Sequence, residues 1–281
     1  MKPFLKWAGG KRQLLSVLQE YINKTNFGTY FEPFVGGGSL FLSLAKENCV
    51  INDFNPEIIN TYEIVRDYPH DLIKQLDKHD KANTKEHYYK IRALDRLAEF
   101  EKMNPVERAA RTIYLNKTCY NGLYRVNSKG YFNVPYGKYV NPLICDKNNI
   151  LEISEYLNHT GVTIMCADFA KAVESAKDGD YVYFDPPYDY VSNNGFVQYV
   201  KEGFSHPDLI RLKETCDELI IRGCQVLISN NDTPFVRELF CGDGYKIVYE
   251  ARAIDANRNI NCNAKARKTG KEILIYGKKK N

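Results

Sequence analysis

The chain has 281 residues, of which 44% are hydrophobic and 26% charged, with a formal net charge of +4. This is the balance of an ordinary globular protein, so a disordered or fibrous chain is excluded. No apolar run approaches the roughly 18 residues that cross a bilayer, and the amino terminus does not resemble a signal peptide. We therefore expect a cytoplasmic protein with a core large enough for one α/β domain, or for a domain that carries an insertion.

The cysteines and a run of basic residues could each indicate a binding site. Eight cysteines are scattered without any Cys-x-x-Cys pair, which favours free and mostly buried thiols over a zinc site or a disulfide framework. Between Arg252 and Lys271 the chain has six Lys and Arg residues and one acid, Asp255. A solvated face is the ordinary interpretation of such a run. Contact with phosphate becomes the better interpretation only if other features require a DNA substrate.

Short apolar runs alternate with helical patterns at both ends of the chain, which is typical of βαβ units. Strands are predicted, in chain order, at 30–35, 50–53, 162–165, 180–185 and 225–230, and an antiparallel hairpin is predicted at 245–249 and 273–276. A helix is predicted from about Pro56. The spacing of Leu209, Leu212 and Cys216 predicts an amphipathic crossover helix before the fifth strand.

The stretch from 62 to 157 breaks this alternation. Helix formers and charged residues dominate 71–79, 85–100 and 106–115, and a polar loop rich in glycine and tyrosine follows at 120–127. We interpret 62–157 as an inserted, mainly helical subdomain. Residues 1–61 and 158–281 then form the domain that contains a mostly parallel sheet, and the fold class is α/β.

The tetrapeptide Asp185-Pro186-Pro187-Tyr188 follows the fourth predicted strand, at the sheet edge where α/β proteins bind ligands. The prolines withhold backbone donors, so the Asp185 carboxylate and the Pro186 carbonyl offer two acceptors to an amino group. Holding both N–H bonds of an aromatic amine favours attack by its nitrogen, and Tyr188 offers a face to a base taken out of the stack. A rigid strand-to-loop turn explains the isolated tetrapeptide equally well.

A glycine-rich loop, Gly36-Gly37-Gly38, follows the first predicted strand and leads into a helix. Such glycines let the backbone approach a cofactor that faces the helix N-terminus. Asp53 ends the next strand, where a carboxylate can bind both hydroxyls of a ribose. The dinucleotide fingerprint is not met, because Phe41 takes the place of its third glycine.

Several motifs occur together and in a fixed order: Leu5–Lys11, Glu32–Gly38, Asn52-Asp53, Tyr120–Leu123, Phe132–Gly137 and Asp185–Tyr188. In this order they resemble the Dam-type DNA adenine-N6 methyltransferases, from Lys2 to about Tyr276. The resemblance implies a Rossmann-like methyltransferase sheet with a terminal hairpin and an inserted DNA-recognition subdomain. It also implies S-adenosylmethionine as the methyl donor, no metal, and double-stranded DNA as the substrate, typically at GATC with the target adenine flipped out.

The resemblance assigns roles to single positions. The cofactor-binding positions are Trp7, Lys11, Phe34, Gly36, Gly38, Asp53, Asp168, Phe169 and Asp185. The catalytic positions are Asp185, Pro186, Pro187 and Tyr188, and the positions that read or hold DNA are Lys6, Asn121, Leu123, Arg125 and Pro135. Chemistry supports Arg125 independently, since a guanidinium can pair bidentately with guanine. A phosphate clamp or an ion pair is the alternative for that side chain.

The chain departs from the family's sequence pattern at one place, and three alternative functions are compared with DNA adenine methylation below. After Tyr188 the family often continues Pro-Leu-Ser, whereas this chain continues Asp189-Tyr190-Val191-Ser192. Cytosine N4 or a protein amide would fit a similar pocket, but the Dam-type insertion argues against both. A DNA-binding module without turnover is disfavoured because every proposed catalytic position is intact. We expect a monomer whose partner is DNA, with a cognate restriction endonuclease possible and a solitary regulatory or repair role left open.

Overall fold

The computed structural model describes residues 1–7, 14–188, 204–241, 247–256 and 270–279. Within these ranges the helices are α1 (Leu15–Asn23), α2 (Ser39–Leu44), α3 (Pro56–Asp67), α4 (Pro69–Lys81), α5 (Lys85–Arg92), α6 (Pro105–Thr118), α7 (Lys147–His159), α8 (Phe169–Ala172), α9 (His206–Ile221) and α10 (Pro234–Cys241). The strands are β1 (Tyr30–Glu32), β2 (Cys49–Asn52), β3 (Thr163–Met165), β4 (Tyr181–Phe184), β5 (Gln225–Asn231), β6 (Ile247–Ala256) and β7 (Gly270–Lys279). Short 3₁₀ helices lie at Ala93–Arg96, Phe100–Lys102 and Tyr120–Gly122.

The chain forms two compact units. The first comprises Met1–Leu15, Val35–Glu47 and Asp53–Cys166, and the second comprises Ser16–Phe34, Asn48–Asn52 and Ala167–Asn281. The predicted division of the chain at residues 62 and 157 stays a prediction.

The second unit contains six strands in the order β2-β1-β4-β5-β7-β6. β1 pairs parallel with β2 and with β4, and β4 pairs parallel with β5. β7 pairs antiparallel with β5, from Val226↔Gly277 to Asn231↔Glu272, and antiparallel with β6. The predicted mostly parallel sheet with a terminal hairpin is therefore confirmed.

The core of the second unit follows from the central strands and one helix. All four residues of β4 are buried, as expected of a parallel strand that is covered on both faces. α9 begins with a capping box in which the Ser205 and Asp208 side chains each accept a backbone N–H of the other residue. Its apolar stripe packs on the sheet through Leu209, Leu212, Cys216, Leu219 and Ile220, which confirms the predicted crossover helix.

The first unit is mainly helical, as predicted for most of its length. Four of its helices begin at side-chain caps, with Asn55 before α3, Thr84 before α5, Asn104 before α6 and Asp146 before α7. Each cap accepts a backbone N–H that has no partner inside its helix. α6 contacts both α3 and α4, and most of its residues are buried. It is therefore the central helix of this unit.

Element boundaries differ from the predictions where backbone pairing decides them. β1 ends at Glu32, because Pro33 has no N–H for the ladder. The helix predicted at 85–100 ends at Arg92 and continues as 3₁₀ turns. β6 and β7 are each ten residues long, well beyond the apolar runs that predicted them, since the two strands pair with one another.

Seven of the eight cysteines lie in the described ranges, and all seven are free thiols. Cys49, Cys119, Cys216 and Cys224 are buried, whereas Cys166 is exposed. The run Val162-Thr163-Ile164-Met165 before Cys166 predicts an apolar environment for this thiol, and that prediction is wrong because β3 leaves its residues partly open to solvent. None of the described helices combines the length and the hydropathy needed to span a membrane. The basic residues Arg258, Lys265, Arg267 and Lys268 lie outside the described ranges.

Candidate active site

The tetrapeptide leaves β4 at the carboxyl end of the sheet in the second unit. Asp185 is half-buried, Pro186 is buried, Pro187 is exposed and Tyr188 is half-buried. The Tyr188 hydroxyl donates a hydrogen bond of 2.8 Å to Oε2 of Glu272, which is 8% exposed on β7. The tyrosine ring is therefore anchored at its polar end by a buried carboxylate, a contact that spans 84 positions of the chain.

Buried hydroxyls form hydrogen bonds within the same sheet. Tyr183 and Ser229 form a hydroxyl–hydroxyl hydrogen bond of 2.7 Å, and Tyr30 donates one of 2.7 Å to Glu32. Burial is the main cause that raises the pKa of Tyr183 well above its ordinary value, and the negative charge of Asp185 adds to it. Tyr183 is therefore an uncharged neighbour of the Asp185 carboxylate, and its hydroxyl is held by Ser229.

An aromatic cluster follows the ends of β1 and β4. The Phe34 ring lies 5.5 Å from Phe169, 6.3 Å from Phe184 and 5.6 Å from Phe204, measured between centroids. The predicted cofactor positions Phe34 and Phe169 are thus in contact, with Phe34 partly open to solvent.

Asp168 is held by a partner that the sequence did not indicate. Its carboxylate caps α8 through Ala170 N at 3.0 Å and accepts two bonds from the Arg211 guanidinium, at 2.7 and 2.9 Å. These bonds from Arg211 lower the pKa of Asp168. Arg211 also lies 4.2 Å over the Phe169 ring, so two predicted cofactor positions, Asp168 and Phe169, contact one arginine.

In the first unit, Trp7 covers the glycine-rich loop. Gly36 and Gly38 have φ of +46° and +65°, in the left-handed region that favours glycine. A Cβ on Gly36 would lie 2.8 Å from the Trp7 indole, so a side chain there would displace it. Trp7 stacks on Tyr124 with 5.7 Å between ring centroids and 23° between planes. Lys11 lies outside the described residues.

Asp53 is bound to the same loop. Its Oδ2 accepts Gly36 N at 3.0 Å, and its Oδ1 accepts Asn55 N at 2.9 Å. Burial raises the pKa of Asp53, and the two backbone donors oppose that shift. The next residue, Phe54, is 78% exposed. An aromatic side chain beside an acid at a strand end was a signal of a ligand surface that sequence reasoning missed.

The predicted DNA-binding residues of the first unit lie on one irregular ribbon, residues 118–137. Its two limbs are joined by Tyr120 N to Pro135 O at 2.8 Å and by Asn133 N to Arg125 O at 3.0 Å. Asn121, Arg125 and Pro135 are exposed on the ribbon, and Leu123 is half-buried. The ribbon thus brings together four of the five predicted DNA-binding positions.

Lys6, the fifth position, is joined to the ribbon through Asn116. The Asn116 amide accepts Lys6 N at 2.6 Å and donates to Lys6 O at 2.7 Å and to Gly122 O at 3.2 Å. The Lys6 ammonium donates to Lys117 O at 3.1 Å and lies 4.3 Å from the centroid of the Tyr139 ring. Burial lowers the pKa of Lys6.

The segment Asp189-Tyr190-Val191-Ser192, where the chain departs from the family pattern, lies outside the described residues. Within the described ranges, no group of three or more His, Cys, Asp or Glu residues could hold a metal ion.

Comparison with known proteins agrees with this chemistry. The sequence profile of the family described as "D12 class N6 adenine-specific DNA methyltransferase" matches residues 7–255. The type II methyltransferase M1.LlaDCHI of Lactococcus lactis subsp. cremoris is 46% identical over 280 residues, which cover 99% of this chain and 96% of that protein. The type II methyltransferase M.MjaIII of Methanocaldococcus jannaschii is 40% identical over 98% of both chains.

More distant relatives include the DNA adenine methylase of Escherichia coli K12, which is 33% identical over 91% of this chain and 90% of its own. Among solved structures, TrmN from Thermus thermophilus covers 95% of this chain and 48% of its own at 9% identity, with a TM-score of 0.41. A TM-score this low says nothing about function. The family profile and the relatives confirm the resemblance that the motif order indicates: the chain belongs to the D12 class of N6 adenine-specific DNA methyltransferases.

Proposed function

We propose that the enzyme transfers a methyl group from S-adenosylmethionine to N6 of an adenine flipped out of double-stranded DNA, within the sequence GATC. The observation that carries this proposal is the tetrapeptide at the end of β4, where Tyr188 is anchored through Glu272 at 2.8 Å. An anchored aromatic ring beside a carboxylate suits a planar base that carries an amino group.

Several residues of the chain fit the cofactor. Asp53 presents a carboxylate whose oxygens already accept backbone N–H groups, so its orientation suits the hydroxyls of a ribose. The Gly36–Gly38 loop lies beneath Trp7 and holds Asp53 through Gly36 N, and the exposed ring of Phe54 suits stacking on an adenine. Trp7, Lys11, Phe34, Asp168, Phe169 and Asp185 complete the proposed cofactor site. S-adenosylmethionine supplies an activated methyl group when it is bound.

The catalytic step needs acceptors rather than a base or a metal. The Asp185 carboxylate and the Pro186 carbonyl accept the two N6 hydrogens of adenine, which draws the nitrogen lone pair out of conjugation with the ring. They stabilise the positive charge on N6 while the new carbon–nitrogen bond forms and the carbon–sulfur bond breaks. After the transfer, the cationic N6 passes one proton to the Asp185 carboxylate, which releases it to water. Pro187 stiffens the turn and Tyr188 stacks on the base.

DNA is bound by the ribbon and its surroundings. Asn121, Leu123 and Pro135 contact base edges or the neighbouring backbone, and Arg125 pairs with a guanine through its two terminal nitrogens. Lys6, whose ammonium already lies at the end of α6 beside Tyr139, adds a further contact at the edge of the ribbon.

The biological setting follows from two relatives. M1.LlaDCHI and M.MjaIII are named as type II methyltransferases. We therefore assign the enzyme to a restriction–modification system, in which it acts as a monomer and protects sites that a cognate endonuclease cuts. A solitary role is the alternative, since the relative in Escherichia coli is named DNA adenine methylase.

The test is expression in a host that lacks adenine methylation, followed by sequencing of its DNA with modified bases identified. We expect N6-methyladenine at GATC, and none when Asp185→Ala is expressed as the control. Modified cytosine alone would refute the proposed target. A protein that binds a GATC duplex but transfers no methyl group would instead be a binding module.

A further inference from the structure

Arg125 is an exposed side chain whose guanidinium is nevertheless held in one orientation. Its Nε donates to Oδ1 of Asn133 at 2.7 Å, and the backbone of Asn133 donates to Arg125 O at 3.0 Å. A long side chain with about 2 kcal/mol of rotamer entropy is thereby restrained by a charge-assisted bond. The contact uses Nε, whereas bidentate pairing with a guanine uses the two terminal nitrogens.

Asn133 is itself fixed, because the residues on either side of it are anchored. Phe132 N donates to Oδ2 of Asp95 at 2.7 Å, and Phe132 O accepts from Arg96 at 3.1 Å. Val134 O accepts from the Tyr88 hydroxyl at 2.8 Å and from Arg92 at 3.1 Å. We call Tyr88, Arg92, Asp95 and Arg96 the anchor. Its side chains hydrogen-bond the backbone of Phe132 and Val134, as the backbone of a neighbouring strand would in a sheet.

The anchor rests on a buried ion pair. Asp95 contacts Arg111 at 2.8 Å, and their side chains are 9% and 5% exposed. Arg111 also donates to Ile91 O and to Arg92 O, each at 3.0 Å. A buried pair whose remaining donors are satisfied keeps one geometry, since breaking it leaves an uncompensated charge. The position of Asn133 is therefore set by the helical part of the unit rather than by DNA.

The burial of residues 132–134 also indicates that the protein itself sets the position of Asn133. Phe132 and Val134 are buried and Asn133 between them is half-buried, as expected where successive side chains of an extended segment alternate between two faces. Asn133 is thus on the side of Arg125, while its neighbours are on the side of the anchor.

We propose that Asn133 is a specificity-positioning residue, which sets the base preference of the enzyme by orienting Arg125 and does not itself read a base. This inference rests on the proposed function, in which Arg125 pairs with a guanine. A phosphate contact by Asn133, or a purely structural role in the ribbon, would give different kinetics.

The experiment begins with the recognition site that sequencing of methylated DNA returns. kcat and KM are then measured on that duplex and on duplexes that differ at one base pair, for Arg125→Ala, Asn133→Ala, Asn133→Asp and the double variant R125A/N133A. Melting temperature and S-adenosylmethionine binding serve as controls for folding. Asn133→Asp keeps an acceptor for Nε and is the rescue variant.

We expect Asn133→Ala to lose roughly tenfold in discrimination at the same base pair as Arg125→Ala, with kcat on the true site little changed. Asn133→Asp should restore that discrimination, and the double variant should equal Arg125→Ala because both changes remove one interaction. An equal loss of kcat/KM on every duplex would make Asn133 a phosphate contact. Losses that multiply in the double variant would show that Asn133 acts independently, and either result overturns the inference.

The two proposals fail in different ways. If Arg125→Ala changes discrimination and Asn133→Ala does not, the positioning role is refuted and the reading role of Arg125 stands. If Arg125→Ala changes discrimination at no base pair, the reading role is refuted, and the inference with it.

Discussion

The tetrapeptide and the ribbon are held in place by different kinds of interaction. The tetrapeptide leaves β4, a strand that pairs through its backbone with β1 on one side and β5 on the other. The ribbon has only two isolated β-bridges, Cys119↔Tyr136 and Val126↔Phe132. Backbone bonds join its two limbs to each other, but the limb at 132–134 is held to the rest of the unit by the side chains of the anchor.

Because of this difference, the residues proposed for methyl transfer and the residues proposed for selecting the DNA sequence depend on different interactions. A backbone ladder keeps its geometry through most side-chain changes, so the acceptors at the end of β4 depend on few individual residues. A ribbon anchored by side chains can be re-aimed by single substitutions. We therefore expect changes at the sheet edge to affect methyl transfer to all DNA, and changes on the ribbon to affect which DNA is methylated.

The largest effect is expected at Asp185. Asp185→Ala removes an acceptor for the N6 hydrogens, so methyl transfer should fall by at least roughly 100-fold on every duplex, while DNA binding is retained. Labelled methyl transfer and a gel-shift assay measure the two quantities. Glu238→Ala, which removes an exposed carboxylate on α10, is the matched control. Normal turnover of Asp185→Ala would refute the assigned role.

A smaller effect is expected at Asp53. Asp53→Asn keeps the shape of the side chain but removes the charge that would bind ribose hydroxyls, so S-adenosylmethionine should bind roughly 10- to 100-fold more weakly. Titration calorimetry measures the affinity, and the KM for DNA should be unchanged. A rise in the KM for DNA alone would contradict a cofactor role.

Acid should loosen the helical unit before the sheet. His79 and His87 share a contact of 3.0 Å between ring nitrogens, and burial lowers the pKa of His79 from 6.5 to about 4. Between these two values the unfolded chain binds a proton that the folded chain does not. The free energy of unfolding should therefore fall as pH falls through that window, by up to about 1.4 kcal/mol per pH unit.

Hydrogen exchange at pH 7 and pH 5, corrected for the intrinsic rate, measures this loss. Protection should fall in α4, α5 and α6 and not in β4, because Tyr181–Phe184 contains no group that titrates between pH 5 and pH 7. His79→Phe keeps a ring beside Tyr114 and should remove most of the pH dependence. An unchanged pH dependence in that variant would assign the effect to another group.

The smallest effect is expected at the Tyr188 hydroxyl. Tyr188→Phe keeps the aromatic face but leaves Glu272 without this donor, which should cost about 1 kcal/mol, or roughly fivefold in kcat. Tyr188→Ala should lose far more, because the stacking surface goes too. Steady-state kinetics compare the two variants. Equal losses would mean that the hydroxyl matters more than the ring.

Local sequence patterns determined the elements and the family. Apolar runs and helical spacing predicted β4, β5 and α9 to within a few residues, because burial imposes periods that a short window reveals. The order of the motifs indicates the methyltransferase family without any tertiary contact. Boundaries were less accurate where pairing between strands decided them, as in β6 and β7.

Only the tertiary structure decided which side chains support those motifs. Arg211 contacts Asp168 across 43 positions, and Glu272 contacts Tyr188 across 84. Neither pair has a local spacing that a sequence pattern reports. The family resemblance indicated Arg125 and its chemistry supported the role, but the contact with Asn133 and the anchor behind it depend on how the ribbon packs on helices that precede it in the chain. A sequence records periodicity along the chain, whereas a hydrogen bond between distant residues exists only after the chain has folded.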